Sequence, residues 1–142
     1  MRITGRNGAT IRELWGEDDP RAYLGITVPD FPNMFLLYGP NTGALHGGSA
    51  MFLAECQVRY VVGCIREMIR GGHRSMAVKP DVFHRYNDRM DEKLKTLVWN
   101  DPNVRSWHKN EKGRVVANSP WRLVEYWQLT EKPDPQEYDF ER

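Results

Sequence analysis

Cysteine is scarce: only Cys56 and Cys64 occur in 142 residues. On one helix they would lie about 12 Å apart along the axis, too far for a disulfide. They read as free, buried thiols, which suits a reducing cytoplasm. Neither cysteine, and none of the four histidines, has a companion at metal-ligand spacing, which excludes a metal site. An excess of one charge is also missing. The net charge is +1, which gives no electrostatic ground for nucleic-acid or membrane binding. No apolar run approaches the ~20 residues of a membrane span, and no signal-peptide pattern opens the chain. No Gly-x-Gly-x-x-Gly loop is present, so the fingerprint that seats a dinucleotide pyrophosphate is absent. Ser49 lacks the second glycine of a nucleophile elbow and reads as a helix N-cap.

What is present is an α+β pattern with no internal repeat. Gly5 to Gly8 reads as a turn, Ala9 to Trp15 as a short helix ended by Gly16, and Tyr23 to Val28 as a short strand. Met34 to Tyr38 is a continuous apolar run bounded by Pro32-Asn33 and Gly39-Pro40, the form of a strand buried on both faces. Too few partner strands exist for it, so part of a sheet is expected elsewhere. The strongest helix spans residues 48–70. Ala50, Ala54, Gln57, Val61, Cys64 and Met68 form one stripe, widened by Met51, Val58, Val62, Ile65 and Ile69. An arc this wide predicts a helix buried on most of its circumference. Glu55 and Glu67 read as solvated charges on its polar side, and Gly71-Gly72 stops it. Met76 to Val78 reads as an extended link. Pro80 and Asp81 start a second helix, with Phe83, Tyr86, Met90 and Leu94 on one face. Leu97 to Trp99, Ser106 to His108 and Arg114 to Val116 are short strand candidates. Asn110 to Gly113 is a hairpin-like turn between the last two. Pro120 to Leu129 is a final amphipathic helix, and the charged, proline-bearing tail from Glu131 is expected to fray.

The best candidate for chemistry is the glycine-rich connection from the apolar run into the long helix. Backbone N–H groups at a helix start can receive an anion or a polarised carbonyl. Residue by residue, the connection reads V28-P-D-F-P-N-M-F-L-L-Y-G-P-N-T42, then Gly43 to Ser49 with His46, Gly47 and Gly48. This spelling, VPxFPNxFxxxGPNTxxxHGGS, resembles the flavin-binding domain of Baeyer–Villiger monooxygenases near its C-terminal end. Asp30 stands where glycine is common. Ser106-Trp107-His108-Lys109-Asn110 and Gly113-Arg114 resemble the family's later SWYxNxxGR element, with His108 in place of tyrosine. The likeness runs in order along nearly the whole chain, including Pro20 to Gly25 and Tyr86-Asn87. Both nucleotide loops and the FxGxxxHxxxWP signature of the class are absent.

The resemblance implies a fragment of a two-dinucleotide-binding flavoprotein. Residues 1–72 would be the C-terminal portion of its FAD-binding domain, with strand 34–38, the GPNT turn and helix 48–70. Residues 73–142 would form a helix, hairpin and helix cap. Gly39, Pro40, Asn41, Thr42, His46, Gly47 and Gly48 would lie beside the flavin, with Asn41 in an exposed turn offering its amide to the flavin's polar edge. His46 reads as a proton donor, a flavin partner or a loop residue. Trp107 is the substrate-side candidate, although its residue context reads as an aromatic core residue under a hairpin. The implied activity is insertion of oxygen next to a ketone carbonyl, using FAD and NADPH held by a missing N-terminal portion, the chain being either truncated or the complement of a separately encoded part. The chain alone is expected to bind neither and to be inactive. Self-association through the edge of strand 34–38 is a further expectation. The competing reading is a non-catalytic, stand-alone α+β interaction or scaffold domain.

Overall fold

A computed structural model describes residues 2–43, 48–103 and 105–142. Among the described residues are four α-helices and a two-stranded sheet: α1 (Ile11–Trp15), α2 (Ala50–Gly71), β1 (Ser75–Val78), α3 (Pro80–Leu94), α4 (Leu123–Leu129) and β2 (Tyr138–Glu141). The result is helix-rich, with α2 as its spine. Thr10 and Glu13 close a capping box on α1, and Gly16 (φ 63°) ends it. Ser49 caps α2 by accepting from the Phe52 N–H, as its position in the sequence predicts. Gly72 (φ 63°) ends α2, its N–H donating to the carbonyl of Ile69.

One core unites the two halves. Tyr23, Leu24 and Ile26 from the first turn meet Tyr60 and Cys64 of α2, Met76 and Val78 of β1, five residues of α3 from Val82 to Leu94, Val115, and Tyr138 of β2. A smaller cluster gathers Ile11, Ala22, Val28 and Phe31, with Met34 and Leu36 packed against it.

The structure corrects several sequence expectations. Residues 34–38 are not a strand. Asn33 (φ 58°) and Tyr38 (φ 56°) bend the backbone at both ends of the run. Its amides go elsewhere: Leu36 N–H to the Ile26 carbonyl, and Tyr38 N–H to Gln57 Oε1. Its apolar side chains do alternate, with Phe35 on the main core and Met34 and Leu36 on the small one. With no ladder there, the proposed edge for self-association is absent. Tyr23 to Val28 is a tight turn, closed by Ile26 N–H to the Tyr23 carbonyl with Leu24 and Gly25 both at positive φ.

Residues 75–78, read as a link, and the tail, read as frayed, are paired strands. They are antiparallel, with Met76 opposite Phe140 and Val78 opposite Tyr138. Tyr138 is buried and its hydroxyl lies 2.9 Å from that of Tyr60. Finally, α2 is not buried on most of its circumference. Leu53, Cys56, Gln57, Tyr60 and Cys64 face the core, whereas Met51, Val58, Val62, Ile65 and Ile69 face out. Of the other strand candidates, 98–100 is a 3-10 turn, while Lys109 and Val115 form a single antiparallel bridge around the expected 110–113 turn.

Cys56 and Cys64 are free and buried. Burial pushes the Cys64 thiol up to about 12 and the Tyr86 phenol up to about 12. It also raises Tyr60, Tyr126 and Tyr138. These groups stay protonated in the folded chain where the unfolded chain already ionises. Their contribution is therefore complete below about pH 9 and falls as pH climbs from about 9 towards 12. Urea denaturation is expected to give constant stability between about pH 7 and 8.5 and a steep loss by about pH 11. Neither thiol should react with a thiol reagent before unfolding. Rapid labelling of native protein at about pH 8 would contradict this burial.

Among the described residues no helix is long and apolar enough to cross a membrane, and no group of acidic, histidine or cysteine side chains could hold a metal ion.

Candidate functional site

The Gly39–Thr42 turn is built from inside the protein. Thr42 is buried, and its Oγ1 donates to the Gly39 carbonyl at 2.6 Å, closing the turn. A Cβ at Gly39 would lie 2.2 Å from the Gly25 carbonyl oxygen, so only glycine fits there. The segment then runs beside residues 116–119: Asn41 N–H donates to Val116, Gly43 N–H to Ala117, and Ser119 N–H to Gly43.

Asn41 departs furthest from the sequence reading. It is 2% exposed rather than in an exposed turn. Its Nδ2 donates to the carbonyls of Val115 (2.8 Å) and Asn118 (3.1 Å). Its Oδ1 accepts from Arg114 Nη2 at 3.1 Å. The carboxamide is committed within the chain and has no hydrogen left for a flavin.

Arg114 is the centre of this arrangement, and the sequence marks it only as the last residue of the Gly113-Arg114 pair. Its side chain is 13% exposed. Nε donates to Asp91 Oδ1 (3.0 Å), and Nη1 to Asp19 Oδ1 (3.1 Å) and the Pro20 carbonyl (3.3 Å). Arg21 completes a ring, donating to Asp91 at 2.8 Å and Asp19 at 3.2 Å. Burial pulls the Arg114 guanidinium below its ordinary value, against the upward pull of Asp91 and Asp19. For Arg21 burial also pulls down, but Asp91 and Asp19 outweigh it and the value rises. The ring ties the 19–21 loop, the GPNT turn, α3 and the hairpin into one support. Gln57 is a second support: its Nε2 donates to Tyr126 Oη (3.0 Å), which donates to the Leu24 carbonyl (2.6 Å).

A cleft of about 540 Å³ lies above these supports, lined by Leu37, Tyr38, Gly39 and Pro40 on one side and Trp107 and His108 on the other. The two sequence motifs, nearly seventy residues apart, thus share one surface. Trp107 is 80% exposed, which overturns its reading as a core residue. It stacks on His108 with ring centroids 3.9 Å apart, and His108 meets Trp99 edge-on at 4.9 Å. At Gly48 a Cβ would fall 2.6 Å from Leu123, so packing of α2 on α4 already explains that glycine. His46 and Gly47 lie outside the described residues.

The exposed start of α2 still fits an electron-rich ligand edge. A helix of 22 residues carries about half a positive charge at its N-terminus, with first-turn amides that have no intrahelical acceptor. Ser49 satisfies the Phe52 and Leu53 amides. Ala50 and Met51 lie on the exposed side.

No protein-family model matches the chain. It is 39% identical over 138 residues to the uncharacterized monooxygenase y4iD of Sinorhizobium fredii, covering 97% of this chain and 21% of that protein. It is 35% identical over 130 residues to the FAD-binding monooxygenase ktnD of Aspergillus niger, covering 89% and 21%. A Baeyer-Villiger monooxygenase of Pseudomonas aeruginosa is 34% identical over 137 residues, covering 96% and 26%. An oxidized steroid monooxygenase bound to NADP superposes with a TM-score of 0.82 over 99% of this chain and 27% of that one, at 22% identity, a likeness of fold. The chain thus spans between a fifth and somewhat over a quarter of the length of these proteins. By sequence along nearly its whole length, and by fold, it corresponds to one segment of the Baeyer–Villiger-type flavoprotein monooxygenases.

Proposed function

We propose that the chain supplies the C-terminal part of an FAD- and NADPH-dependent monooxygenase that inserts oxygen next to a ketone carbonyl in a reducing cytoplasm. Residues 1–72 end the FAD-binding domain, and residues 73–142 cap it. The observation that carries this reading is the cleft that brings Gly39 and Pro40 to face Trp107 and His108. FAD, when bound, supplies the redox chemistry and the activation of oxygen. The chain's own residues shape and polarise its surroundings.

Gly39 and Pro40 form the wall beside the ring, Thr42 holds their turn from beneath through its bond to the Gly39 carbonyl, and Gly48 with the first amides of α2 offers positive potential to the ring's electron-rich edge. Asn41 acts beneath them as a positioning residue through Arg114, Val115 and Asn118. His46 and Gly47 belong to the same connection by sequence. Trp107 presents an apolar face on the substrate side and excludes water there.

The partner in this reading is the N-terminal portion of the enzyme, carrying the FAD- and NADPH-binding loops that this sequence lacks. Gel filtration after incubation with FAD tests the division of labour. The chain alone is expected to elute colourless. Elution with near-stoichiometric flavin would overturn the assignment of the nucleotide grip to that N-terminal portion.

A further inference from the structure

We propose that the outward stripe of α2 is the surface onto which the remainder of the flavoenzyme docks. The inference rests on the reading of this chain as one part of that enzyme. Met51, Val58, Val62, Ile65 and Ile69 are 76%, 46%, 47%, 41% and 75% exposed. They succeed one another, with Glu55, at alternating steps of four and three, a narrow apolar seam about 27 Å long. It lies opposite the residues that pack into the core. A sequence apolar on both sides of a helix encodes two contacts, and this chain satisfies one.

The occupant follows from two observations. Nearly all of this chain aligns with only 21% to 26% of its relatives, so in those proteins most of the polypeptide is available to cover the matching helix. A second copy fits poorly. In a parallel helix pair Arg59 and Arg66 would face Ala54 and Val61, with no acidic residue at the flanking positions to complement them. Arg59 is already turned away, donating to the Trp127 carbonyl and lying over its ring. The partner surface is therefore apolar, with an acidic group placed for Arg66.

The test pairs this chain with the Pseudomonas aeruginosa relative shortened by its matched 137 residues. The two are co-produced with a tag on the shortened protein, and that relative's own segment serves as the positive control. The wild-type chain is expected to co-purify in equal amount. The double variant Val62→Lys/Ile65→Lys should reduce recovery by roughly tenfold or more, because two ammonium groups would be desolvated against an apolar face. Its circular dichroism and melting temperature should match the wild type, since both side chains are half exposed. Undiminished recovery of the double variant overturns this surface and leaves the functional reading intact. Failure of the wild-type chain, where the control succeeds, overturns both. A homodimer of the chain alone, broken by the same lysines and refusing the shortened protein, overturns the choice of occupant.

Discussion

Replacing Asn41 with alanine is expected to lower the unfolding free energy by about 3 kcal/mol, a large effect for one side chain. The carboxamide makes three hydrogen bonds, to Val115, Asn118 and Arg114. Truncation leaves two buried carbonyls and one guanidinium N–H without these partners, and each such group costs about 1–3 kcal/mol before the site relaxes. The backbone adds to this. Asn41 sits at φ 54°, a conformation that asparagine tolerates and alanine resists. Asn41→Asp is expected to be nearly as damaging: it can still accept from Arg114, but it sets an oxygen against the Val115 and Asn118 carbonyls. Urea denaturation measures both. A loss under about 1 kcal/mol for the alanine variant would restore the exposed, ligand-facing asparagine of the sequence reading.

Arg114→Met is the second large effect, again about 3 kcal/mol. Methionine fills much of the volume but leaves Asp91 and Asp19 to Arg21 alone. Breaking a well-buried pair costs more, but Asp19 and Asp91 are 37% and 26% exposed, so solvent offsets part of the loss. Arg114→Lys should recover only a fraction. A lysine keeps the charge but cannot bond Asp91, Asp19, the Pro20 carbonyl and Asn41 from one planar fork. Equal stability of the methionine variant and the wild type would show that the ring carries no net stabilisation. The lysine variant matching the wild type would show that charge alone matters.

Residues whose partners lie nearby were legible in the sequence. Ser49, Gly16 and Gly72 act at helix ends, where the governing signals are local. The 34–38 run was misread because a continuous apolar run reports which side chains are buried, not whether the backbone finds a ladder. Phe35 and Leu36 do face different clusters, but Asn33 and Tyr38 take left-handed conformations that no periodicity announces. β2 was missed for the opposite reason. Tyr138 and Phe140 alternate with Asp139 and Glu141 as a half-buried strand should, but Pro133, Pro135 and the charges around them mask a four-residue signal.

The site divides the same way. The Gly39-Pro40 turn and Trp107 are visible as motifs. The Asn41–Arg114 and Arg114–Asp91 bonds join residues 73 and 23 positions apart, and only the tertiary fold brings them together. The wide apolar arc of α2 predicted burial on most of its circumference, whereas this chain covers only one side of it.

The most direct measurement is NADPH oxidation with a cyclic ketone in the reassembled enzyme, with the product checked for an inserted oxygen. The chain and the shortened relative are each expected to be inactive alone. Together they should consume NADPH only with ketone present and release the lactone. Consumption that is indifferent to the chain, or absent from a complex that has formed and holds FAD, would contradict the claim that this chain completes a Baeyer–Villiger-type active site.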